Sequence, residues 1–414
     1  MALGSNAASI RLASVAARRM LILFAAFHVI IHTTAFAQLH DSVASRIVAP
    51  GVLYRSITRK EGPWRINVVE IDLRVPDLEI ESARAFDQLR GRETTSSIAQ
   101  RKNTGTKSVV AALNADFFDL KSGENENNQI IDGEFVKGVS VTESPHDTFE
   151  NIHSQFAISY YKNPFIDRFA FAGFILWKDG STHTLSSVNA ISDSNGLSLF
   201  NHYYGNTTWS DTSGLPITEV ALVNIGRRSD TLIFVAHDNP HGGGATFIPP
   251  SGAVVAGYRE SHTLVERKIS LGDTMRIVLA LVPHRGKIKA LVGGWPRIVL
   301  SGKNIAGAAD TTEGTFPRFS ANRHPRTGIG FSRDSTTLYF ITVDGRQESS
   351  VGMSLIEFAD LMISLGVHEG LNLDGGGSTT LVINGTVVNS PSDSTGERPV
   401  ANCIFVTKIL RNEH

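Results

Sequence analysis

The sequence is poor in cysteine and has no marked excess of charge of either sign. Cys403 is the only cysteine among 414 residues, so no internal disulfide can form and the fold depends on its hydrophobic core. Within the apolar stretch NCIFV, we expect this thiol to be buried and inert. The 39 basic and 40 acidic residues nearly cancel, which argues against electrostatic binding of nucleic acid.

Several familiar motifs are also missing. The sequence contains no C-x-x-C, no H-E-x-x-H and no repeat of fixed period. Gly242 to Gly244 lack the G-K-[ST] ending of a P-loop, and Thr380 stands where a G-x-S-x-G elbow around Ser378 requires glycine. A serine-hydrolase interpretation is therefore poor. His237, Asp238 and His241 have a spacing that suits a metal, although an exposed loop is the alternative interpretation.

The N-terminal segment has the pattern of an export signal. Three arginines precede the apolar run MLILFAAFHVII, and Ala-Phe-Ala at residues 35–37 follows as a cleavage site. We predict a signal peptide over residues 1–37, an uncleaved anchor being the alternative. The mature protein is then expected to be periplasmic or extracellular, without a stable membrane span. We assign residues 38–64 to a peripheral N-terminal segment and residues 65–410 to one domain.

Strand patterns dominate the rest of the chain. Val68–Val75 alternates apolar and polar residues, as a half-buried strand does. The clearest helix runs from Leu355 to Leu365, because Ser354 and Glu357 have the spacing of a capping box. Asn384-Gly385 between TTLVI and TVVN predicts a hairpin with a type I′ turn. We predict an α+β fold with a strand-rich mixed sheet and a few helices.

Three consecutive glycines form the most informative stretch, NLDGGGSTT, at residues 372–380. They lie between a predicted short strand and the hairpin. Glycine weakens regular structure, so a run of three indicates that another group must approach the bare backbone. This group is either a ligand or another segment of the chain, and the neighbouring aspartate and hydroxyl groups favour a ligand. From this stretch we select as candidate site residues Asn372, Asp374, Gly375, Gly376, Gly377, Ser378 and Thr379.

Two other polar clusters also fall at the ends of predicted strands. NADFFD begins with Asn114 and Asp116, and HPRTG precedes a strand that pairs with LYFITV, which ends in Asp344-Gly345-Arg346. Arginine suits phosphate because its planar guanidinium donates two parallel hydrogen bonds. Taken alone, Asp-Gly is a common turn, and Asn114 is able to cap a local turn. Together, the clusters predict a concave site for an anionic ligand.

Lined up in order, these stretches resemble the phosphodiester glycosidase family. The matching segments include ALNADFFD, IDGEFVKG, GGWPRIVLSG, HPRTGIGFS, ITVDGR, NLDGGGSTTLVINGTVVNSPSD and GERPVAN. They extend from about Val68 to Val406, and the last long block is the most specific. The resemblance implies hydrolysis of a sugar-1-phosphodiester at the bond between the anomeric carbon and oxygen.

The resemblance also implies roles for the selected residues. Asp374 and Asp344 are the candidate catalytic carboxylates for an oxocarbenium-like transition state. Arg326 and Arg346, with Arg398 as a further candidate, are expected to bind the phosphate. The remaining selected residues are expected to bind sugar hydroxyls or phosphate oxygens.

The lone cysteine differs from animal members of the family and favours a bacterial-type enzyme that acts on envelope or extracellular glycans. No cofactor or metal is required by this prediction, although a divalent cation is compatible with it. Two alternatives stay open: a non-catalytic glycan- or envelope-binding protein, and a metal-dependent phosphodiesterase that cuts the P–O bond.

Overall fold

The computed structural model describes residues 41–191, 196–209, 214–228 and 230–410. The predicted signal peptide lies outside these residues. None of the helices in the described ranges is long and apolar enough to cross a membrane. The helices there are α1 Thr95–Arg101, α2 Ser261–Lys268, α3 Ala309–Thr312, α4 Pro317–Ala321 and α5 Leu355–Ser364.

Strands account for most of the regular structure. The first half of the described chain contains β1 Ser42–Ala49, β2 Val52–Arg59, β3 Trp64–Asp72, β4 Leu78–Arg84, β5 Lys107–Asn114, β6 Gln129–Ile131, β7 Glu134–Lys137, β8 Gln155–Ser159, β9 Pro164–Asp167, β10 Ala170–Leu176, β11 Thr182–Leu185, β12 Ser187–Val188 and β13 Leu197–Phe200. The second half contains β14 Ile217–Arg228, β15 Thr231–Ala236, β16 His241–Gly242, β17 Gly252–Tyr258, β18 Thr274–Val282, β19 Ile288–Gly293, β20 Arg297–Leu300, β21 Lys303–Asn304, β22 Arg326–Phe331, β23 Thr337–Val343, β24 Glu369–Leu373, β25 Leu381–Ile383, β26 Thr386–Val387 and β27 Asn402–Ile409.

These strands form four sheets. Sheet 1 has the order β1-β2-β3-β23-β22-β24-β20-β21, and sheet 2 has the order β11-β10-β18-β15-β14-β17-β13-β12, with β16 paired to β14. Sheet 3 has the order β7-β6-β19-β8-β9, and sheet 4 has the order β26-β25-β5-β27-β4. Between the strands described here, pairing is antiparallel except between β12 and β13.

Sheet 3 is a middle layer that is buried on both faces. Phe156 and Val292 project into a hydrophobic core shared with sheets 1 and 4. Their chain neighbours Ala157 and Leu291 project into a second core shared with sheet 2. This arrangement follows from the two-residue period of strands, because successive side chains point to opposite faces.

Helices cover the outer faces of sheets 1 and 4. Helix α5 buries Phe358 and Met362 against sheet 1. The side chain of Ser354 accepts a hydrogen bond from the Glu357 N–H, and the Glu357 side chain accepts from the Ser354 N–H, so the predicted capping box is confirmed. Helix α1 packs on sheet 4 through Ile98.

The strand-rich character predicted from the sequence is confirmed, and so is the hairpin at Asn384 and Gly385, whose φ angles are 47° and 78°. The predicted mixed sheet is in fact four sheets. The segment predicted to be peripheral supplies β1 and β2 to sheet 1. Strand β1 is largely exposed, whereas β2 buries Val52 and Ile57 in two different cores.

Candidate active site

The three polar clusters predicted from the sequence lie against one another where sheets 1 and 4 meet. Strand β24 ends at Leu373, and a turn over residues 374–380 then leads to β25 in sheet 4. The Asp374 N–H donates to the Ala115 carbonyl at 2.8 Å, and the Gly376 N–H donates to the Pro325 carbonyl at 2.9 Å. The end of β5, the start of β22 and the glycine turn are therefore joined by backbone hydrogen bonds.

Asn114 holds this junction together. Its Nδ2 donates to the Asp374 carbonyl at 2.6 Å. Its Oδ1 accepts from the Thr380 N–H at 3.0 Å and from Thr327 Oγ1 at 3.1 Å. Because the side chain is fully buried and its oxygen is already paired twice, Asn114 positions the site, in contrast to the predicted contact with substrate.

The glycines are needed because charged side chains approach them closely. A Cβ atom on Gly377 would overlap the Arg398 guanidinium and the Asp393 carboxylate. Gly376 has φ +60°, and a Cβ there would lie 3.1 Å from an Arg346 nitrogen. The bare backbone thus lets two arginines approach the turn, as the glycine run predicts.

Asp374 lies within this turn and remains partly accessible to solvent. Burial raises the pKa of its carboxyl group to about 7. The Ser378 hydroxyl and Arg398 act in the opposite direction, whereas Asp116 adds to the increase. A carboxyl group with a pKa near neutral pH is well suited to accept or donate a proton during catalysis.

Asp116 is buried beside Asp374 and accepts three hydrogen bonds. The donors are Asn125 Nδ2 at 3.1 Å, the Asn127 N–H at 3.1 Å and Asn127 Nδ2 at 2.7 Å. Burial raises the pKa of Asp116, while these donors favour its ionised form. Asp116 is therefore a fixed acceptor that influences its neighbours by its charge.

Glu126 is a candidate residue that the sequence analysis missed. Burial raises the pKa of its carboxyl group to about 8, and Asp116 and Asp374 add to the increase. The segment GENENNQ reads as a loop, so nothing singled out Glu126. The available signal was the unusual number of asparagines, since Asn125 and Asn127 prove to be fully buried.

Asp344 holds the segment that follows the hairpin. Its Oδ1 accepts from the Ser390 N–H at 3.0 Å and from Asn389 Nδ2 at 3.3 Å. Asn389 in turn donates to the Thr379 carbonyl at 2.9 Å, which links Asp344 to the glycine turn. Burial raises the pKa of Asp344 to about 6. These contacts indicate a positioning role for Asp344, whereas the sequence predicted a catalytic one.

Arg326 requires a correction. Its guanidinium is buried and donates to three backbone carbonyls, those of Met353 at 2.8 Å, Phe319 at 2.9 Å and Asn322 at 3.1 Å. Burial lowers its pKa to about 9. The predicted bidentate contact with phosphate is not supported, because the side chain is committed to holding α4 and the segment before α5.

The other two predicted arginines differ in their surroundings. Arg346 is exposed, and its guanidinium lies against Gly376. Arg398 is paired with Asp393 through bonds of 2.7 and 3.0 Å, and its third nitrogen lies 3.5 Å from Ser378 Oγ. Arg346 is thus available for a ligand, whereas Arg398 fixes the turn and acts on the charge of Asp374.

The polar residues around the turn are engaged within the protein. Asn372 Nδ2 donates to the Trp295 carbonyl at 2.6 Å, and its buried Oδ1 has no partner among the described residues. Ser378 and Thr379 are buried, and the Thr379 and Thr327 hydroxyl oxygens lie 3.3 Å apart, within hydrogen-bond distance. Contacts within the protein therefore explain the presence of these hydroxyl groups, and no ligand is needed to explain them.

An aromatic wall, defined here as Phe117, Trp295 and Phe319, adjoins the carboxyl groups. Trp295 and Phe319 stack with ring centroids 5.0 Å apart, and Phe117 meets Trp295 edge-on at 5.7 Å. Phe117 and Phe319 remain partly exposed. Trp295 is buried and also stacks with His153, and Arg326 lies over the Phe319 ring. Phe117 and the exposed edge of Phe319 are therefore the parts of the wall that suit the apolar face of a sugar ring. The sequence analysis did not predict this wall.

A basic cluster, defined here as Arg318, His324 and Arg346, lies near the glycine turn. Burial lowers the pKa of His324, and the positive charges of Arg326, Arg346 and Arg318 lower it further. His324 is fixed by paired backbone hydrogen bonds with Met353, of 3.1 and 3.0 Å. The sequence analysis selected only Arg346 from this cluster.

The metal alternative gains no support from His241 and Asp238, which approach to 3.6 Å. The Asp238 carboxylate accepts instead from the Ala221 N–H at 2.9 Å. Among the residues that the structure describes, no group of three or more His, Cys, Asp or Glu side chains has an arrangement that suits a metal ion.

The protein is therefore rich in strands, and its candidate site combines neighbouring carboxyl groups, an aromatic wall and cationic side chains that form no ion pair with the described residues. Comparison with known families gives a match to phosphodiester glycosidase over residues 229–407. This match supports the assignment of the chain to the phosphodiester glycosidase family. The matched residues include Asp344, Arg346 and Asp374, whereas Asp116 and Glu126 lie outside them.

Individual relatives resemble this chain over different fractions of its length. The bovine (Bos taurus) N-acetylglucosamine-1-phosphodiester alpha-N-acetylglucosaminidase is 38% identical over 143 residues, which are 34% of this chain and 25% of the bovine enzyme. The match therefore spans about a quarter of that enzyme's length. A solved structure from Synechocystis has a TM-score of 0.68 at 18% identity, covering 89% of this chain and 64% of the other. One from Burkholderia pseudomallei has a TM-score of 0.67 at 19% identity, covering 89% and 97%. These two structures share the fold.

Proposed function

We propose that this protein is an exported hydrolase that cleaves the glycosyl–oxygen bond of sugar-1-phosphodiesters of the N-acetylglucosamine-1-phosphodiester type. Its substrates would be envelope or extracellular glycans, and its location periplasmic or extracellular. One observation carries the proposal. Asp374 has a pKa near 7 and interacts with the carboxyl groups of Asp116 and Glu126, and the exposed Arg346 lies against the same glycine turn. The match of residues 229–407 to the phosphodiester glycosidase family supports the same type of reaction.

In the proposed reaction, the bond between the anomeric carbon and the phosphate oxygen breaks, and its electron pair goes to that oxygen. The oxygen of a water molecule forms the new bond to the anomeric carbon. Asp374 accepts the proton of this water, and Glu126 donates its proton to the departing oxygen. The products are a free sugar and a phosphomonoester.

The pKa values fit these two roles. Near neutral pH a useful fraction of Asp374 is ionised, because its pKa is about 7. Glu126 is largely protonated at the same pH, because its pKa is about 8. Carboxyl groups whose surroundings set their pKa values apart are characteristic of acid–base pairs in glycosidases.

Aromatic side chains and a positive charge would position the substrate in this site. Phe117 and the exposed edge of Phe319 pack against the apolar face of the sugar. Arg346 binds the phosphate, where negative charge grows as the bond breaks. Asn114, Asp344, Arg326 and Arg398 act as positioning residues through the hydrogen bonds described above.

The test is hydrolysis of UDP-N-acetylglucosamine or a synthetic sugar-1-phosphodiester in water enriched in heavy oxygen. Mass spectrometry of the phosphate product then identifies the bond that breaks. We expect a phosphate product without label, because water adds to carbon. The matched Asp374→Asn variant should have no measurable turnover.

Other outcomes would contradict the proposal. Label in the phosphate product would show cleavage of the P–O bond. Binding of the substrate without turnover by the wild-type protein would favour a glycan-binding role. Full activity of Asp374→Asn would remove Asp374 from the mechanism.

A further inference from the structure

The basic cluster carries more positive charge than its surroundings neutralise. Other arginines near the site are paired: Arg323 lies 3.1 Å from both Glu357 oxygens, and Arg398 is bound by Asp393. Arg318 and Arg346 are exposed, and neither forms an ion pair with any residue in the described ranges. Positive groups placed together without counter-charges indicate a site for an anion.

The cluster also has a defined position relative to the rest of the site. Arg346 lies against Gly376, two residues after Asp374, and Arg318 precedes Phe319 of the aromatic wall. His324 follows α4 and is held by its backbone bonds to Met353. A Cβ on Gly345 would lie 2.7 Å from the Pro325 nitrogen, so the segments that carry Arg346 and His324 are packed together. An anion bound here would lie beside the sugar site and would contact side chains from the strand ends and from α4.

We propose that Arg318, His324 and Arg346 bind the dianionic phosphomonoester product, and that His324 takes up a proton when this product binds. The identity of the ligand rests on the proposed function. The binding site itself rests on the position and pairing of the three side chains.

The charge of the ligand explains why the cluster contains a histidine. A phosphodiester carries one negative charge, whereas a phosphomonoester loses a second proton with a pKa near 6. The phosphate group bound by the cluster therefore carries more negative charge after bond cleavage than before it. A site with two fixed charges and one titratable group matches this change, and it favours product over substrate.

The charges around His324 determine the direction of the proton transfer. The arginines Arg318, Arg326 and Arg346 disfavour a proton on His324 in the free protein, and burial acts in the same direction. Glu357, which acts on Arg326, is itself paired with Arg323. A bound dianion would offset the arginine charges, so His324 would bind a proton from the solvent.

Isothermal titration calorimetry of the full chain with methyl phosphate tests the proposal. The titration is done at about pH 7.5, where methyl phosphate is already a dianion because its second pKa is about 6, in two buffers that differ in ionisation enthalpy. Proton uptake makes the measured heat depend on the buffer. We expect buffer-dependent heats with methyl phosphate and much weaker binding of dimethyl phosphate, which carries a single charge.

Three variants separate the contributions. His324→Asn should bind methyl phosphate more weakly and with heats that do not depend on the buffer. Arg318→Gln should bind it several-fold more weakly while keeping the buffer dependence. Arg333→Gln is the matched control, because Arg333 is exposed in the turn at the opposite end of the β22–β23 hairpin, and it should behave as wild type.

Buffer-independent heats in the wild-type protein would overturn the proposal, as would wild-type affinity in Arg318→Gln. Methyl phosphate binding with proton uptake by a protein that does not hydrolyse sugar-1-phosphodiesters would contradict the proposed reaction and leave the anion site established. The two failures are thus distinguishable.

Discussion

At the scale of single residues, the number of hydrogen-bond donors around each carboxyl group differs. Asp116 accepts three hydrogen bonds, and Asp374 accepts from Ser378 and from the Gly375 N–H. Glu126 accepts from Ser144 and is acted on by the charges of Asp116, Asp374 and Asp147. Donors favour the ionised form, whereas burial and like charges favour the protonated form. The three groups therefore suit different tasks.

The pH dependence of kcat/KM should be bell-shaped. Asp374 must be ionised, so the rate should rise as pH increases through about 7, and Glu126 must be protonated, so the rate should fall above about 8. Glu126→Gln should lower the maximal rate and remove the alkaline decline. Steady-state kinetics between acid and alkaline pH check this, and an unchanged alkaline limb in Glu126→Gln would assign that limb to another group.

The raised pKa of Asp374 also affects stability. In the folded protein its pKa is about 7, against 3.8 ordinarily, so between these values the folded state binds more protons than the unfolded state. Stability contributed by the protonated form is present below pH 3.8 and is lost as pH rises through 7. Asp374→Asn should therefore gain stability relative to wild type as pH increases, on the order of 4 kcal/mol, because each pKa unit corresponds to about 1.4 kcal/mol.

Urea unfolding at pH 4 and pH 8 measures this difference. The gain at pH 8 should exceed that at pH 4. An equal effect at both pH values would show that the ionisation of Asp374 has no energetic cost in the folded state.

At the scale of elements, the site is built where the ends of β5, β22, β23 and β24 meet. Backbone hydrogen bonds fix the glycine turn to Ala115 and Pro325, and the buried Arg326 fixes α4 and the segment before α5. Positions at strand ends are rigid, whereas the connecting turns carry the ligand-facing groups.

Replacing Arg326 should reduce stability. Arg326→Met would leave the carbonyls of Met353, Phe319 and Asn322 without a donor, which costs on the order of 3 kcal/mol. Arg346→Met is the matched control, because Arg346 is exposed; it should unfold as wild type but lose activity. Urea unfolding monitored by circular dichroism measures both, and wild-type stability in Arg326→Met would restore a ligand-binding role for Arg326.

A methyl group on the glycine turn should displace its charged neighbours. In Gly377→Ala the added Cβ overlaps Arg398 and Asp393, so kcat should fall by at least about tenfold. Gly105→Ala is the control, since a Cβ there meets no atom within 4 Å. Kinetics of the two variants provide the comparison, and similar rates would show that the turn tolerates a side chain.

The sequence predicted the local elements better than their assembly. The capping box of α5 and the Asn-Gly turn depend on residues close in the chain, and both were predicted correctly. The pairing of β3 with β23 joins residues some 270 positions apart, and no local pattern reveals such a partner. Strand β1, which is mostly exposed, has no apolar alternation to mark it.

The same reasoning applies to the candidate site. The glycine turn could be recognised from the sequence alone. Three consecutive glycines lose much conformational entropy on folding, so such a run indicates a specific structural requirement. Glu126 becomes notable only when Asp116 and Asp374 lie beside it, and their positions depend on the fold. Arg326 shows the opposite error: its residue type suits phosphate, but burial commits it to backbone carbonyls.

At the scale of the whole molecule, sheet 3 connects the two main cores. Phe156 contributes to the core shared with sheets 1 and 4, and the adjacent Ala157 contributes to the core shared with sheet 2. Each face of β8 and β19 is therefore covered by a different part of the protein. Loss of packing on one face is expected to affect the other, since the strands are common to both.

Phe156→Ala tests whether the described domain unfolds as one unit. Removing this fully buried side chain should cost about 3–5 kcal/mol. Tryptophan fluorescence and circular dichroism should give the same urea transition, shifted to lower urea. Phe174→Ala is the control because Phe174 is 42% exposed, and its effect should be small. Two separated transitions would show that the cores unfold independently.

The close approach of Asp116 to Gly293 at the end of β19 limits how the protein can change. A Cβ on Gly293 would overlap the Asp116 carboxylate, and one on the adjacent Gly294 would lie 2.8 Å from the Asn372 carbonyl. Efforts to redirect the proposed activity toward other sugars should therefore leave this glycine pair untouched and randomise the partly exposed aromatic residues Phe117 and Phe319. In a library spanning both regions, active clones should retain Gly293 and vary at the rings.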